Sequence, residues 1–144
     1  MEWLSNAWAG VLKTGALIVG GIVGAMGGWS VFLTVLLYMM VVDYITGVMV
    51  AMLHRSTKTT NGGLSSAVGA NGLMKKGMIM LMVILGTLLD YVIGSDGMMF
   101  QTAVASFYIA NEGLSVLENA VAIGLPVPSV VKEALESLRE KKEG

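Results

Sequence analysis

Long apolar runs broken by short polar or glycine-rich stretches dominate the chain. About twenty mostly apolar residues are enough to cross a bilayer core as a helix, and four segments approach that length. Residues 31–53 contain Asp43 as their only acid or base before the end of the run, and residues 77–94 contain only Asp90. A first segment, residues 12–28, is shorter and glycine-rich, and it gains length if Lys13 snorkels to the interface. The fourth, residues 100–125, is long enough but carries Gln101, Asn111, Glu112, Ser115, Glu118 and Asn119. The pattern predicts an all-α fold: a small polytopic helical membrane protein with about four transmembrane helices.

The flanks complete the outline. Trp3, Leu4, Trp8 and Val11 sit near helical spacing, as in a short interfacial helix anchored by indoles. Glu2 stands where a cleaved leader would have a basic start, which argues against a signal peptide. Residues 56–72, rich in Gly, Ser, Thr and Asn, read as a flexible connection. Gly124, Pro126 and Pro128 end the fourth helix, because proline lacks the amide donor and clashes with the preceding turn. Residues 1–128 then form the membrane domain. Residues 129–144 form an amphipathic tail capped by Ser129, with an apolar stripe of Val130, Val131, Ala134, Leu135 and Leu138. The tail is expected to be a solvated cytoplasmic end.

Composition narrows the function. The 144 residues are 55% hydrophobic and 13% charged, against roughly a quarter charged in soluble domains. A net charge of −1 offers no cationic face for nucleic acid. The absence of cysteine excludes thiol catalysis, and a single histidine, His54, makes an imidazole metal centre improbable. No nucleophile–base pair is visible, His54 standing beside Arg55 at a span end, and no glycine-rich stretch is followed by a phosphate-loop lysine. Neither an enzyme, a metal site nor a cofactor is expected. The twelve methionines read as flexible apolar filling.

Charge placement sets the expected orientation. Arg55, Lys58, Lys75 and Lys76 lie between spans two and three with no acid among them, which places that loop in the cytoplasm. Four spans put both termini on the same side, so Lys13, Lys132, Arg139, Lys141 and Lys142 join them and all nine basic residues fall inside. The two opposite loops contain Asp96 alone.

Four acids fall within the spans: Asp43, Asp90, Glu112 and Glu118. Each costs about 2.5 to 3.5 kcal/mol at the bilayer centre, and no basic residue is expected at matching depth. They are therefore expected to be protonated or to face water or polar neighbours. Asp90, nearer the outer side, is expected to reach headgroup water. In span four, Tyr108, Asn111, Glu112, Ser115, Glu118 and Asn119 gather on one face at 100° per residue. Such a stripe lines water, forms an oligomer face, or locks into neighbouring helices. Gly20, Gly24 and Gly28, four residues apart, form a candidate helix-packing face, and Asp43, Gly47 and Ala51 repeat the device beside an acid.

Three segments resemble the phage lysis and toxin-secretion holins of the superfamily IV type. They are Asp43-Tyr44-Ile45-Thr46-Gly47, the run from Phe107 to Asn119 with its Asn111-Glu112, Ser115 and Glu118-Asn119, and Gly124-Leu125-Pro126-Val127-Pro128. The middle loop reads Thr60-Asn61-Gly62-Gly63-Leu64-Ser65-Ser66, where a tighter Asn-Ser pair is more usual. The resemblance implies a homo-oligomer in the bacterial cytoplasmic membrane that opens abruptly and gives an endolysin or toxin passage, leading to lysis. An antiholin is a possible partner. Asp43, Thr46, Gly47, Glu112, Ser115, Glu118 and Asn119 are the residues it singles out. A small channel or transporter component and an antiholin-like membrane scaffold are the competing readings.

Overall fold

The computed structural model describes the backbone of residues 2–25 and 27–143; the side chains of Leu4, Lys141, Lys142 and Glu143 lie outside the described residues. The described chain is all-helical: α1 (Glu2–Ala25), α2 (Val31–Met52), α3 (Ser66–Ile93), α4 (Met99–Ala122) and α5 (Ser129–Glu143). By length and composition, α1 from Ser5 onward, α2 and α3 are able to cross a membrane. α4 is less apolar because of its polar stripe, yet it is the centre of the fold and packs against α2, α3 and α5.

Local chemistry sets the helix ends. Ser30 and Ser65 cap α2 and α3, each hydroxyl accepting from the amide three residues on. α4 ends in a Schellman turn: Gly124, at φ +91°, donates to Val121 O, and Leu125 donates to Ala120 O. The break expected at Gly124, Pro126 and Pro128 is therefore present. The chain turns there, and the Pro128 carbonyl accepts from Val131 and Lys132 at the start of α5.

Three expectations are corrected. Trp3 to Val11 do not form a separate helix but are the first turns of α1, since nothing between Glu2 and Ala25 interrupts helical geometry. α3 begins at Ser66, because the Ser65 cap starts it before the apolar run does, so Lys75 and Lys76 belong to a helix. What remains of the connection is ordered. Gly62 O accepts from Ser56 N at 2.9 Å, Gly63 O from Thr59 Oγ1 at 3.0 Å, and Asn61 Oδ1 from Gly63 N at 3.0 Å.

The tail also departs from expectation. α5 folds back on α4, and a Cβ at Gly113 would lie 3.0 Å from Leu135 Cδ1, so glycine is what admits Leu135 to that face. Of the apolar stripe of α5, Leu135 is half-buried against α4, while Val130, Val131, Ala134 and Leu138 remain exposed, as in a solvated end. In α1 the described side chains are exposed almost throughout, and a Cβ at Gly20 or Gly24 would meet nothing. The accessible surface of 9580 Å² exceeds the roughly 7,100 Å² of a compact soluble chain of this mass, which fits helices meant for lipid.

The α2–α3–α4 bundle is layered. Leu33, Leu36, Met40, Ile79, Val83 and Ala105 form its apolar band. Beyond them, at the α3–α4 turn, Asp90 is 1% exposed and does not reach water, contrary to expectation. Its Oδ1 accepts from Phe100 N at 2.9 Å and Ser95 Oγ at 2.5 Å, and its Oδ2 accepts from Gln101 N at 2.9 Å. Met98 gives α4 no side-chain cap, so Asp90 satisfies the orphan amides from across the turn and meets the positive end of the helix dipole. Close approach permits this: a Cβ at Gly86 would sit 3.1 Å from the Gln101 backbone.

Replacing Asp90 with alanine strands two buried amides and is expected to cost about 2 to 3 kcal/mol. The readout is the thermal unfolding midpoint in detergent. Asp90→Asn should recover only part of the loss, because its amide nitrogen faces a donor. An unchanged midpoint in Asp90→Ala would show that α4 does not depend on this cap.

Candidate functional site

Past the apolar band, on the side away from Asp90, one polar residue from each helix of the bundle points inward. Lys76 on α3 donates from Nζ to Asp43 Oδ2 on α2 at 2.8 Å and to Glu112 Oε2 on α4. Side-chain exposures are 12% for Lys76, 14% for Asp43 and 8% for Glu112, so all three are largely withdrawn from solvent. Desolvation of each charge alone costs several kcal/mol, and only mutual pairing makes their burial tolerable. The expectation that these acids lack a basic partner is overturned. Lys76 was placed in a loop, whereas the early start of α3 carries it into the bundle.

A second set of bonds joins α4 to α2. Asn119 Nδ2 donates to Thr46 Oγ1 at 2.9 Å, and lies 3.4 Å from Asp43 Oδ1 and 3.5 Å from Asp43 O. Thr46 Oγ1 in turn donates to Asp43 O at 3.1 Å. Gly47 leaves room for this carboxamide, since a Cβ there would lie 3.8 Å from Asn119 Nδ2. The structure thus joins Asp43 and Glu112, chosen from the sequence, through Lys76, which was not chosen, and sets Thr46, Gly47 and Asn119, also chosen, beside Asp43.

The polar stripe of α4 divides. Glu112 and Asn119 are buried and lock helices together, Ser115 is half-buried, and Asn111 and Glu118 are exposed. Asn111 and Ser115 border a cavity of about 410 Å³ whose floor is the Asp43–Lys76–Glu112 cluster. Glu118 borders a smaller cavity of about 260 Å³ with Arg55, whose guanidinium donates to Ala122 O at 3.4 Å. Gly20, Gly24 and Gly28 are not brought to either.

Chemically, the cluster contains two carboxylates against one ammonium. As ionised groups they leave one excess negative charge beside a cavity. Nothing in the arrangement pairs a nucleophile with a base. It forms an ion-paired clamp that ties α2, α3 and α4 together.

A model of the bacteriophage holin family matches residues 20–140 of the chain. An uncharacterized 14.9 kDa protein of Clostridium perfringens is 39% identical over 116 residues, covering 81% of this chain and 83% of that protein. An uncharacterized protein of Listeria monocytogenes is 35% identical, covering 87% and 84%. A probable holin of Bacillus phage phi105 is 31% identical over 104 residues, covering 72% and 71%. No solved structure matches.

Lys76→Met leaves both acids without their cation, and breaking a buried pair in this way costs about 3 to 5 kcal/mol. Combining it with Asp43→Asn and Glu112→Gln should recover most of that loss. Unfolding in detergent of the single and triple variants measures both. Equal stability of Lys76→Met and the parent would mean that the clamp holds nothing.

Proposed function

We propose, because this chain belongs to the bacteriophage holin family, that it assembles with copies of itself in the bacterial cytoplasmic membrane and opens a lesion through which an endolysin passes. The observation that carries this reading is the buried Asp43–Lys76–Glu112 cluster, where three helices meet beside a polar cavity. A purely structural membrane bundle would be cheaper to build with an apolar core. The orientation proposed is both termini and the α2–α3 loop in the cytoplasm, supported by all nine basic residues falling on that side. α4 serves as the fourth span, its polar edge shielded by α2 and α3.

In the closed protomer, Lys76 neutralises one of its two acids and Asn119 ties α4 to Asp43 and Thr46. Each protomer then carries one excess negative charge with little water around it. The exposed small residues Gly20 and Gly24 on α1 offer close helix approach between copies. Assembly brings the excess charges nearer one another, and in a low dielectric their repulsion is far stronger than in water. Admitting water relieves both the repulsion and the desolvation of the carboxylates, so the wetted arrangement gains as the assembly grows. Opening is then cooperative. Collapse of the membrane potential biases it to the extent that charge moves through the field, by about 2.3 kcal/mol per elementary charge per 100 mV.

The test is induction of the full chain in a bacterium while membrane potential and leakage of a cytoplasmic reporter enzyme are recorded. Asp43→Asn and Glu112→Gln each remove the excess charge while keeping side-chain shape, so both should delay leakage at matched membrane abundance. A shift of about 1 kcal/mol in the opening barrier corresponds to about a fivefold longer delay. Unchanged timing in both variants removes the cluster from the mechanism. Ion-selective conductance without enzyme release would overturn the lesion reading itself, and so would inhibition of a cognate holin without permeabilisation.

A further inference from the structure

The 410 Å³ cavity has a roof and walls that the clamp does not require. The roof is the ordered loop, which contributes Ser56, Lys58 and Thr59, and the walls come from α2, α3 and, through Asn111 and Ser115, α4. That loop is held in place by its own bonds, among them Ser56 N to Gly62 O and Thr59 Oγ1 to Gly63 O. Gly62, at φ +71°, lies so close to His54 O that a Cβ there would be 2.3 Å away.

Two cations on the cavity wall have no carboxylate. Lys58 and Lys75 make no ion pair among the described residues, whereas Lys76 is committed to Asp43 and Glu112. The charged residues lining the cavity are Lys58, Lys75 and Lys76 against Asp43 and Glu112, a net of +1. No acid occurs between Leu53 and Lys76. Hydroxyl and amide donors from Ser65 and Asn71 stand among them, and Val48, Ala51 and Val68 supply an apolar side. Cationic and hydrogen-bonding groups beside an apolar wall, at the end of two bilayer-spanning helices, match a molecule with a phosphate head and a hydrocarbon body. The volume falls in the range of small-ligand sites.

We infer that this cavity binds the headgroup of an anionic phospholipid of the phosphatidylglycerol class. Lys58 and Lys75 hold the phosphate, the loop covers it, and the acyl chains leave along the α2–α3 side into the bilayer. A free phosphate would meet the same cations but would have no use for the apolar wall. The inference needs only that α2 and α3 sit in a bilayer, and it stands apart from whether the assembly opens.

The test reconstitutes the full chain in phosphatidylcholine nanodiscs doped with phosphatidylglycerol, and counts the phosphatidylglycerol retained per chain after exchange into detergent. Basic residues near a membrane contribute about 1 kcal/mol each toward anionic lipid, so Lys58→Gln and Lys75→Gln should each lower retention about fivefold and together about twenty-fivefold. Both side chains are exposed, so neither change disturbs the core. Lys132→Gln, on α5 and outside the cavity, should leave retention unchanged. Equal retention of phosphatidylcholine and phosphatidylglycerol would overturn the inference. So would an unaffected double variant, or loss of retention in Lys132→Gln as large as in Lys58→Gln. Displacement of the lipid by millimolar inorganic phosphate would assign the cations to a free anion and overturn the lipid assignment.

Discussion

The structure depends on one constraint: a charge among apolar helices must find its partner within the protein. Asp43, Glu112 and Lys76 are withdrawn from solvent between predominantly apolar helices, and none is tolerable there alone. Their meeting fixes the rotation of three helices at once, because turning α2, α3 or α4 by a fraction of a turn would expose a charge to hydrocarbon. An apolar band such as Leu36, Val83 and Ala105 tolerates sliding and small rotation, so it supplies contact area without unique geometry. The ion cluster and the Asn119–Thr46 bond supply the register.

The same constraint explains why the least apolar helix sits in the middle. α4 has Gln101, Glu112 and Asn119 along one edge, all buried against other helices. Each has a partner there: Gln101 reaches Thr87, Glu112 reaches Lys76, and Asn119 reaches Thr46. Flanking helices with apolar outer faces screen it from lipid. α5 then covers another side through Gly113, where the missing side chain admits Leu135.

Much of this was legible in the chain. The spacing of Asp43, Thr46 and Gly47, and of Glu112, Ser115 and Asn119, marked one face on each of two helices, and those faces do meet. Lys76 was missed because the hydropathy of the third span begins only at Gly77, which made the lysine look like a loop residue. A signal was nevertheless present: positions 76, 79, 83, 87 and 90 recur at helical spacing, so Lys76 lies on the same face as Ile79, Val83, Thr87 and Asp90. All but Lys76 are buried, and Lys76 is partly so. Asp90 was misjudged for a different reason. Its partners are backbone amides of the next helix, and side-chain identity carries no record of them. The fold of the α2–α3 loop was hidden likewise, since Gly and Ser look the same in a flexible linker and in a tight turn.

Asp43 and Asp90 are the same side chain at similar cost, yet their surroundings give them opposite characters. Asp90 accepts from two amides and a hydroxyl at the α3–α4 turn, and it borders neither of the cavities described. Its charge is dispersed over fixed dipoles that have no alternative arrangement short of unfolding α4. Asp43 instead shares one ammonium with a competing acid and borders a space large enough for water. Its acceptors are met by side chains of other helices, Lys76 and Asn119, rather than by the backbone amides of a turn. The two carboxylates therefore differ in the donors around them: backbone amides hold Asp90 in the α3–α4 turn, whereas Asp43 shares a lysine with a second acid beside a cavity, the arrangement on which the proposed opening draws.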